Sequence, residues 1–191
     1  MLIRVKSLRR LTSFLSAGLV LLFALPYFGL ILRYAVNIPS WDDFDAILGY
    51  ALASPAQRFE ILFAQHNEHR ITVTRLLVEG MMDFRGQVDF KTIALLGNGF
   101  LAGVFGLLAR PLKGRLPGLA VLACLVFAPV AWINLVWGMS SIHNHAVHFF
   151  ALASMMAFFS DRPGRWRFFL FFVFGTCAVY TNGSGLFLFP A

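Results

Sequence analysis

Residues 116–160 contain no Asp, Glu, Lys or Arg. Few environments accept so long an uncharged stretch, and the rest of the chain is of the same kind. Of its 191 residues 59% are hydrophobic and 16% aromatic, including 22 phenylalanines, more apolar surface than one water-soluble core of this size hides. A bilayer is the solvent that fits. Crossing its roughly 30 Å hydrocarbon layer takes about 20 apolar residues, and the expected spans are 11–32, 92–109, 116–136, 142–160 and 168–190. The uncharged stretch is divided at its polar midpoint "WGMSSIHNH", 137–145, where Gly138 marks a turn. The predicted fold class is all-α: a polytopic transmembrane helix bundle of about five spans, forming a single membrane domain.

Charge sets the orientation, because lysine and arginine are retained on the cytoplasmic side. Arg4, Lys6, Arg9 and Arg10 precede the first span, Arg110, Lys113 and Arg115 follow the second, and Arg162, Arg165 and Arg167 follow the fourth. These ten cations meet one acid, Asp161, giving +9; the other six cations share the segment 33–91 with eight acids, giving −2, which together make the net +7. The expectation is a cytoplasmic N-terminus in the inner (cytoplasmic) membrane with 33–91 outside. The positive charge is thereby explained by topology, and nucleic acid is not an expected partner. The opening apolar run is too long for a cleaved signal peptide and suits an uncleaved anchor. Cys124 and Cys177 fall inside spans and read as small core residues. The final "TNGSGLFLFPA" stops within an apolar run, which favours 1–191 as a fragment, the N-terminal part, of a longer chain.

The outer segment is the polar part. Apolar residues at 41, 44, 47, 48, 51 and 52 have the spacing of a short amphipathic helix lying on the membrane surface. Ser54-Pro55 has the form of a cap and first-turn proline for a helix through Phe63. From Ile71 to Phe84 the polar residues Thr72, Arg75, Glu79 and Asp83 form one helical stripe, with Arg75 and Glu79 as an i,i+4 pair.

Two strings in this segment have the residue types that chemistry needs. In "WDDFD" the carboxylates Asp42, Asp43 and Asp45 sit at the membrane interface, where ionisable groups are costly to hold; the same acids would also favour the positive end of a helix dipole. In "QHNEHRITVTR" His66 and His69 are three apart, able to point the same way on a helix, with Asn67, Glu68, Arg70 and Arg75 beside them. Such a set suits divalent-metal ligation (Asp43, His66 and His69 as candidate ligands for a cation such as Mg or Mn), phosphate binding, acid/base catalysis, or a solvated surface patch. His143, Asn144 and His145 at the turn and the beginning of the fourth span, and Asn182 in the outer half of the fifth, fall on the same expected side and are secondary candidates.

On these strings, "WDDFD", "QHNEHRI" with its downstream arginine, and "TNGSGLFLFP", the chain resembles the GT-C superfamily of polytopic glycosyltransferases. The resemblance implies transfer of a sugar from a polyprenyl-phosphate donor to an acceptor at the outer face of the membrane. It implies Asp42 or Asp43 as the catalytic base, and Arg70, Arg75, His66 and His69, with Asn67 and Glu68, at the donor phosphate. The alternative is a non-catalytic transporter or flippase for lipid-linked substrates, or an assembly subunit, using the same residues for binding alone.

Overall fold

A computed structural model describes residues 2–161 and 163–189, and for residues 2–10 and Ser13 it describes only the backbone. The side chains of Arg4, Lys6, Arg9 and Arg10, with Arg162 and Pro190, lie outside the described part. The chain is nearly all helical: α1 (Leu2–Tyr34), α2 (Gly49–Leu52), α3 (Pro55–Leu62), α4 (Thr72–Arg85), α5 (Phe90–Ala109), α6 (Leu116–Val126), α7 (Trp132–Val136), α8 (Gly138–Phe158) and α9 (Gly164–Val179). Two-residue strands β1 (Gln65–His66) and β2 (His69–Arg70) add a small hairpin.

Among the described residues three helical runs are long and apolar enough to cross a membrane, Phe14–Tyr34, Phe90–Leu112 and Leu116–Val136. The protein is a membrane protein. α8 has the length but carries Ser140, Ser141, His143, Asn144, His145 and His148 in its first half. α9, with 16 residues, spans only about 24 Å. The expected helix over 168–190 ends at Val179. Beyond it Gly183–Leu188 forms a 3₁₀ turn that folds back, so that Phe189 stacks on Phe172 at 6.2 Å and meets Phe171 at 5.6 Å. The third run is likewise interrupted, by a 3₁₀ turn at Pro129–Ala131 between α6 and α7.

α5 is the centre of the bundle, packed against α8 on one side and against α6, α7 and α1 on the other, and α9 covers α8. α5 and α8 run parallel. Their axes meet where Gly97 faces Ser141, and a Cβ at 97 would lie 2.1 Å from the Ser141 Oγ and 2.5 Å from the Ile142 nitrogen. Asn98, fully buried next to this contact, accepts a hydrogen bond from the Tyr27 hydroxyl of α1 at 2.6 Å. Its amide donates to the carbonyls of Asn134 and Leu135, both at 3.2 Å, at the end of α7. Those carbonyls have no helical partner of their own, and in lipid they need one.

Residues 33–91 cap one end of this bundle. α3 begins with the expected Ser54 cap and first-turn Pro55, and Gln57 completes a capping box by bonding reciprocally with Ser54. α4 lies over α2 and α8 with Ile71, Val78 and Met81 in a core shared with Ile47, Ile93 and Ile142. Thr72 and Arg75 of its polar stripe turn inward while Asp83 is exposed, and the expected Arg75–Glu79 pair is not made. Glu79 instead takes Arg58 at 2.8 Å and the Tyr50 hydroxyl at 2.9 Å. Burial, and then the Glu79 acceptor, push the Tyr50 phenol up to about 12, so it stays a donor.

Glycine is required at 97 and not at 99, where nothing lies within 4 Å of an added Cβ. Gly97→Ala should therefore destabilise the purified protein by about 1–3 kcal/mol through overpacking, while Gly99→Ala should be neutral or stabilising by about 0.5–1 kcal/mol. Thermal unfolding of the two variants in the same detergent checks this.

Candidate functional site

The first of the two polar strings folds as a tight turn into a π-helical segment, Phe44–Leu48, that runs on into α2. Trp41 is held at φ 48°, an uncommon backbone state for a bulky residue. The turn is closed from both sides: the Asp43 amide donates to the Ser40 carbonyl, and the Ser40 amide donates to Asp43 Oδ2, each at 3.0 Å. The other carboxylate oxygen, Oδ1, accepts from the Met139 amide at 3.1 Å. Met139 is in the first turn of α8, whose N-cap, Trp137, supplies no side-chain cap. Asp43 thus caps α8 from 96 positions away in sequence, a carboxylate on the positive end of the helix. The Trp137 indole N–H also faces this carboxylate, short of strict hydrogen-bond geometry.

Asp43 is only 1% exposed. Burial raises its pKa above the ordinary value; the Ser40 and Met139 amides lower it less, and the charge of Asp42 adds to the rise. Asp42 is half-buried, and its carboxylate makes no hydrogen bond or ion pair among the described residues. Ser40, Trp41, Trp132, Ile133 and Val136 line an open groove of about 360 Å³. Trp41 packs edge-on against Trp137 at 4.8 Å while remaining, like Trp132, 64% exposed.

The second string is not the expected helix. Gln65 pairs with Arg70 and His66 with His69 across a hairpin whose turn is Asn67-Glu68. Asn67 has φ 50°, a left-handed state that asparagine tolerates, and its carbonyl accepts the Gln65 amide at 2.8 Å. His66 and His69 still share a face, because they are cross-strand partners. The hairpin is docked onto α8 and the end of α9. The Gly183 amide donates to His69 Nδ1 at 3.2 Å, which assigns the neutral ring's proton to Nε2, 3.4 Å from Glu68. The His69 ring lies edge-on to that of His143 at 4.7 Å. Nε2 of both His66 and His143 is buried without a partner. Arg70 stands over the Tyr180 ring at 5.8 Å, and the Tyr180 carbonyl accepts the Val73 amide of α4 at 3.2 Å.

Met139 and His143 are one turn apart on α8, so Asp43 and the histidine hairpin dock on successive turns of one helix. The remaining candidates go elsewhere. Arg75 is buried, its Nη1 donating at 2.6 Å to the carbonyls of Ile61 and Ala64 at the end of α3. That burial lowers its pKa, and its charge serves the helix terminus rather than an open phosphate site. Asn144 binds Asn134 and Ser140, and His145 turns toward the Gly97 backbone. Asn182 accepts the Ser184 amide and so shapes the turn that presents Gly183. Among the described residues no three or more His, Cys, Asp or Glu are grouped to hold a metal ion. Asp43, His66 and His69 therefore do not fit the metal-ligand set expected of them.

The sequence did not single out Trp132 or Gly183. The Ala128-Pro129 interruption is the signal for the first, since it turns Trp132 out of a continuous helix. For Gly183 there is no local signal, because its partner is 114 residues away.

No family model matches this chain, and no curated protein or solved structure matches it.

Because its native pKa lies above 3.8, Asp43 favours the folded state when protonated. The contribution is complete below 3.8 and is lost as pH rises through the raised value. Asp43→Asn removes the titration and leaves one of two amides facing an NH₂ group, a loss of about 1–3 kcal/mol. The thermal stability of the wild type relative to this variant should increase as pH falls from neutral toward 4.

Proposed function

We propose that the chain is a GT-C-type membrane glycosyltransferase, or the N-terminal part of one, that transfers a sugar from a polyprenyl-phosphate donor at the outer face of the cytoplasmic membrane. On this proposal α8 and α9 are the fourth and fifth crossings, the N-terminus is cytoplasmic, and 33–91 is extracytoplasmic. The observation that carries it is the free Asp42 carboxylate, which stands in the chain between Trp41 of the Trp41–Trp132 groove and the locked Asp43, at the end of the bundle that also holds Arg70, His66 and His69. The charge sorting of the sequence supports an outer location for that end.

Transfer to an acceptor hydroxyl forms an oxygen–anomeric carbon bond as the bond from that carbon to the phosphate oxygen breaks. The phosphate leaves with the electron pair, and the hydroxyl proton passes to a base. Asp42 is assigned as this base, on accessibility, and Asp43 as the residue that positions it. Arg70, with the His66 and His69 imidazoles, supplies donors and positive charge to the departing phosphate. The two exposed indoles offer apolar faces for the C–H face of a sugar ring.

Asp42→Asn should lower transfer by about 10²–10⁴-fold, the usual weight of a general base, without changing membrane insertion or thermal stability. The measurement is formation of glycosylated product from a polyprenyl-phosphate-linked sugar in proteoliposomes. Undiminished turnover in this variant would reject the base; donor binding with no covalent product in the wild type would favour the carrier or assembly subunit. Orientation is tested separately. In a background lacking Cys124 and Cys177, Glu60→Cys should react with a membrane-impermeant maleimide added outside intact cells.

A further inference from the structure

The far end of the bundle holds a second cavity, unconnected with the chemistry proposed above. It lies where the end of α5, the end of α8 and the beginning of α9 diverge, and it measures about 610 Å³, within the roughly 300–1,000 Å³ of small-ligand sites. Its walls are apolar, with Leu107 from α5, Phe149 and Ala153 from α8, and Leu170 and Phe174 from α9. Gly103 leaves room for the Phe149 ring, whose edge would be 2.7 Å from a Cβ at that position. Arg110, Ser160 and Asp161 complete the lining.

The polar groups are unevenly committed. The Ser160 hydroxyl is taken by the Ala157 carbonyl at 2.7 Å. Arg110 is exposed and makes no hydrogen bond or ion pair among the described residues, although Asp161 borders the same cavity. Lys113 and Arg115 follow α5 in the chain, and Arg165 and Arg167 are in the first turn of α9. An apolar cleft between helices, ending at an unpaired guanidinium in a mostly basic region, has the chemistry to hold a lipid with an acyl chain and an anionic headgroup.

We propose that this cleft binds an anionic phospholipid, one acyl chain lying against Phe149, Leu170 and Phe174 and the phosphodiester on Arg110. Asp161 opposes the headgroup and weakens the site. Phosphatidylcholine carries the same chains and phosphate, but its ammonium offsets the attraction of the Arg110 guanidinium. Inorganic phosphate lacks the chains and is not retained.

Native mass spectrometry of the purified chain, titrated with phosphatidylglycerol, phosphatidylcholine or inorganic phosphate, tests this. Phosphatidylglycerol should bind most tightly, with Arg110→Gln weakening it about fivefold and Asp161→Asn strengthening it. Ala153→Phe, which fills the cleft, should also weaken it, and Lys113→Gln, outside the lining, should change it little. Equal retention of the two lipids, or an equal effect of Lys113→Gln and Arg110→Gln, would reduce the effect to general surface charge and overturn the site. Exclusive formation of a dimer whose interface covers the cleft, with no lipid retained, would overturn it as well.

Discussion

A chain in lipid can interrupt a helix only where some other group meets the backbone N–H and C=O that the interruption frees. Side chains meet them at several breaks in this protein. Asn98 takes the last carbonyls of α7, Asp43 takes an amide of the first turn of α8, and Arg75 takes the last carbonyls of α3. Each of these bonds joins two separate elements, so satisfying the backbone and assembling the bundle are one event. The fold can therefore place short, broken elements such as α2, α3 and α7 at the end of the bundle, where continuous helices would leave no concave surface.

That constraint also sorts the polar residues. Asp42 and Asp43 are adjacent in sequence and alike in chemistry, yet one has both oxygens engaged by backbone amides and the other has its carboxylate free. Arg70 and Arg75 divide the same way, one over an aromatic ring and the other buried among carbonyls. A carboxylate that is buried and twice bonded cannot collect a proton from a substrate without breaking the turn that holds it. Its half-exposed neighbour can, and the rigidity of the turn becomes the source of its placement.

The elements whose causes are local were legible in the sequence. Ser54 and Pro55 mark the start of α3 by capping chemistry alone, and the uncharged stretch does break at Trp137, although α8 begins at Gly138 where a turn was expected. The misplacements have tertiary causes. HNEH has a spacing compatible with a helical face, but Asn67 adopts the left-handed state and the strands gain partners on α8 and on the turn after α9. Arg75 and Glu79 satisfy the i,i+4 rule, worth only about 0.2–0.5 kcal/mol, and both find stronger partners: buried carbonyls for one and a close guanidinium and phenol for the other. The gathering of the polar strings at one end was expected from charge sorting, while the separation of free from engaged groups within them depends on distances that no periodicity encodes.

The end of α9 shows how far such dependence reaches. Had the helix continued through residues 180–189, its last turns would have carried the chain about 15 Å beyond Val179, and no amide would face His69. The chain reverses instead, and two glycines permit it. Gly185 lies so close to the Ala178 backbone that a Cβ would sit 2.4 Å from its carbonyl carbon, and Gly175 lies under the Phe189 ring at 2.6 Å by the same measure. Apolar composition is identical in the straight and the folded forms. The small residues decide between them, and with the reversal comes the Gly183 amide that fixes the tautomer of His69.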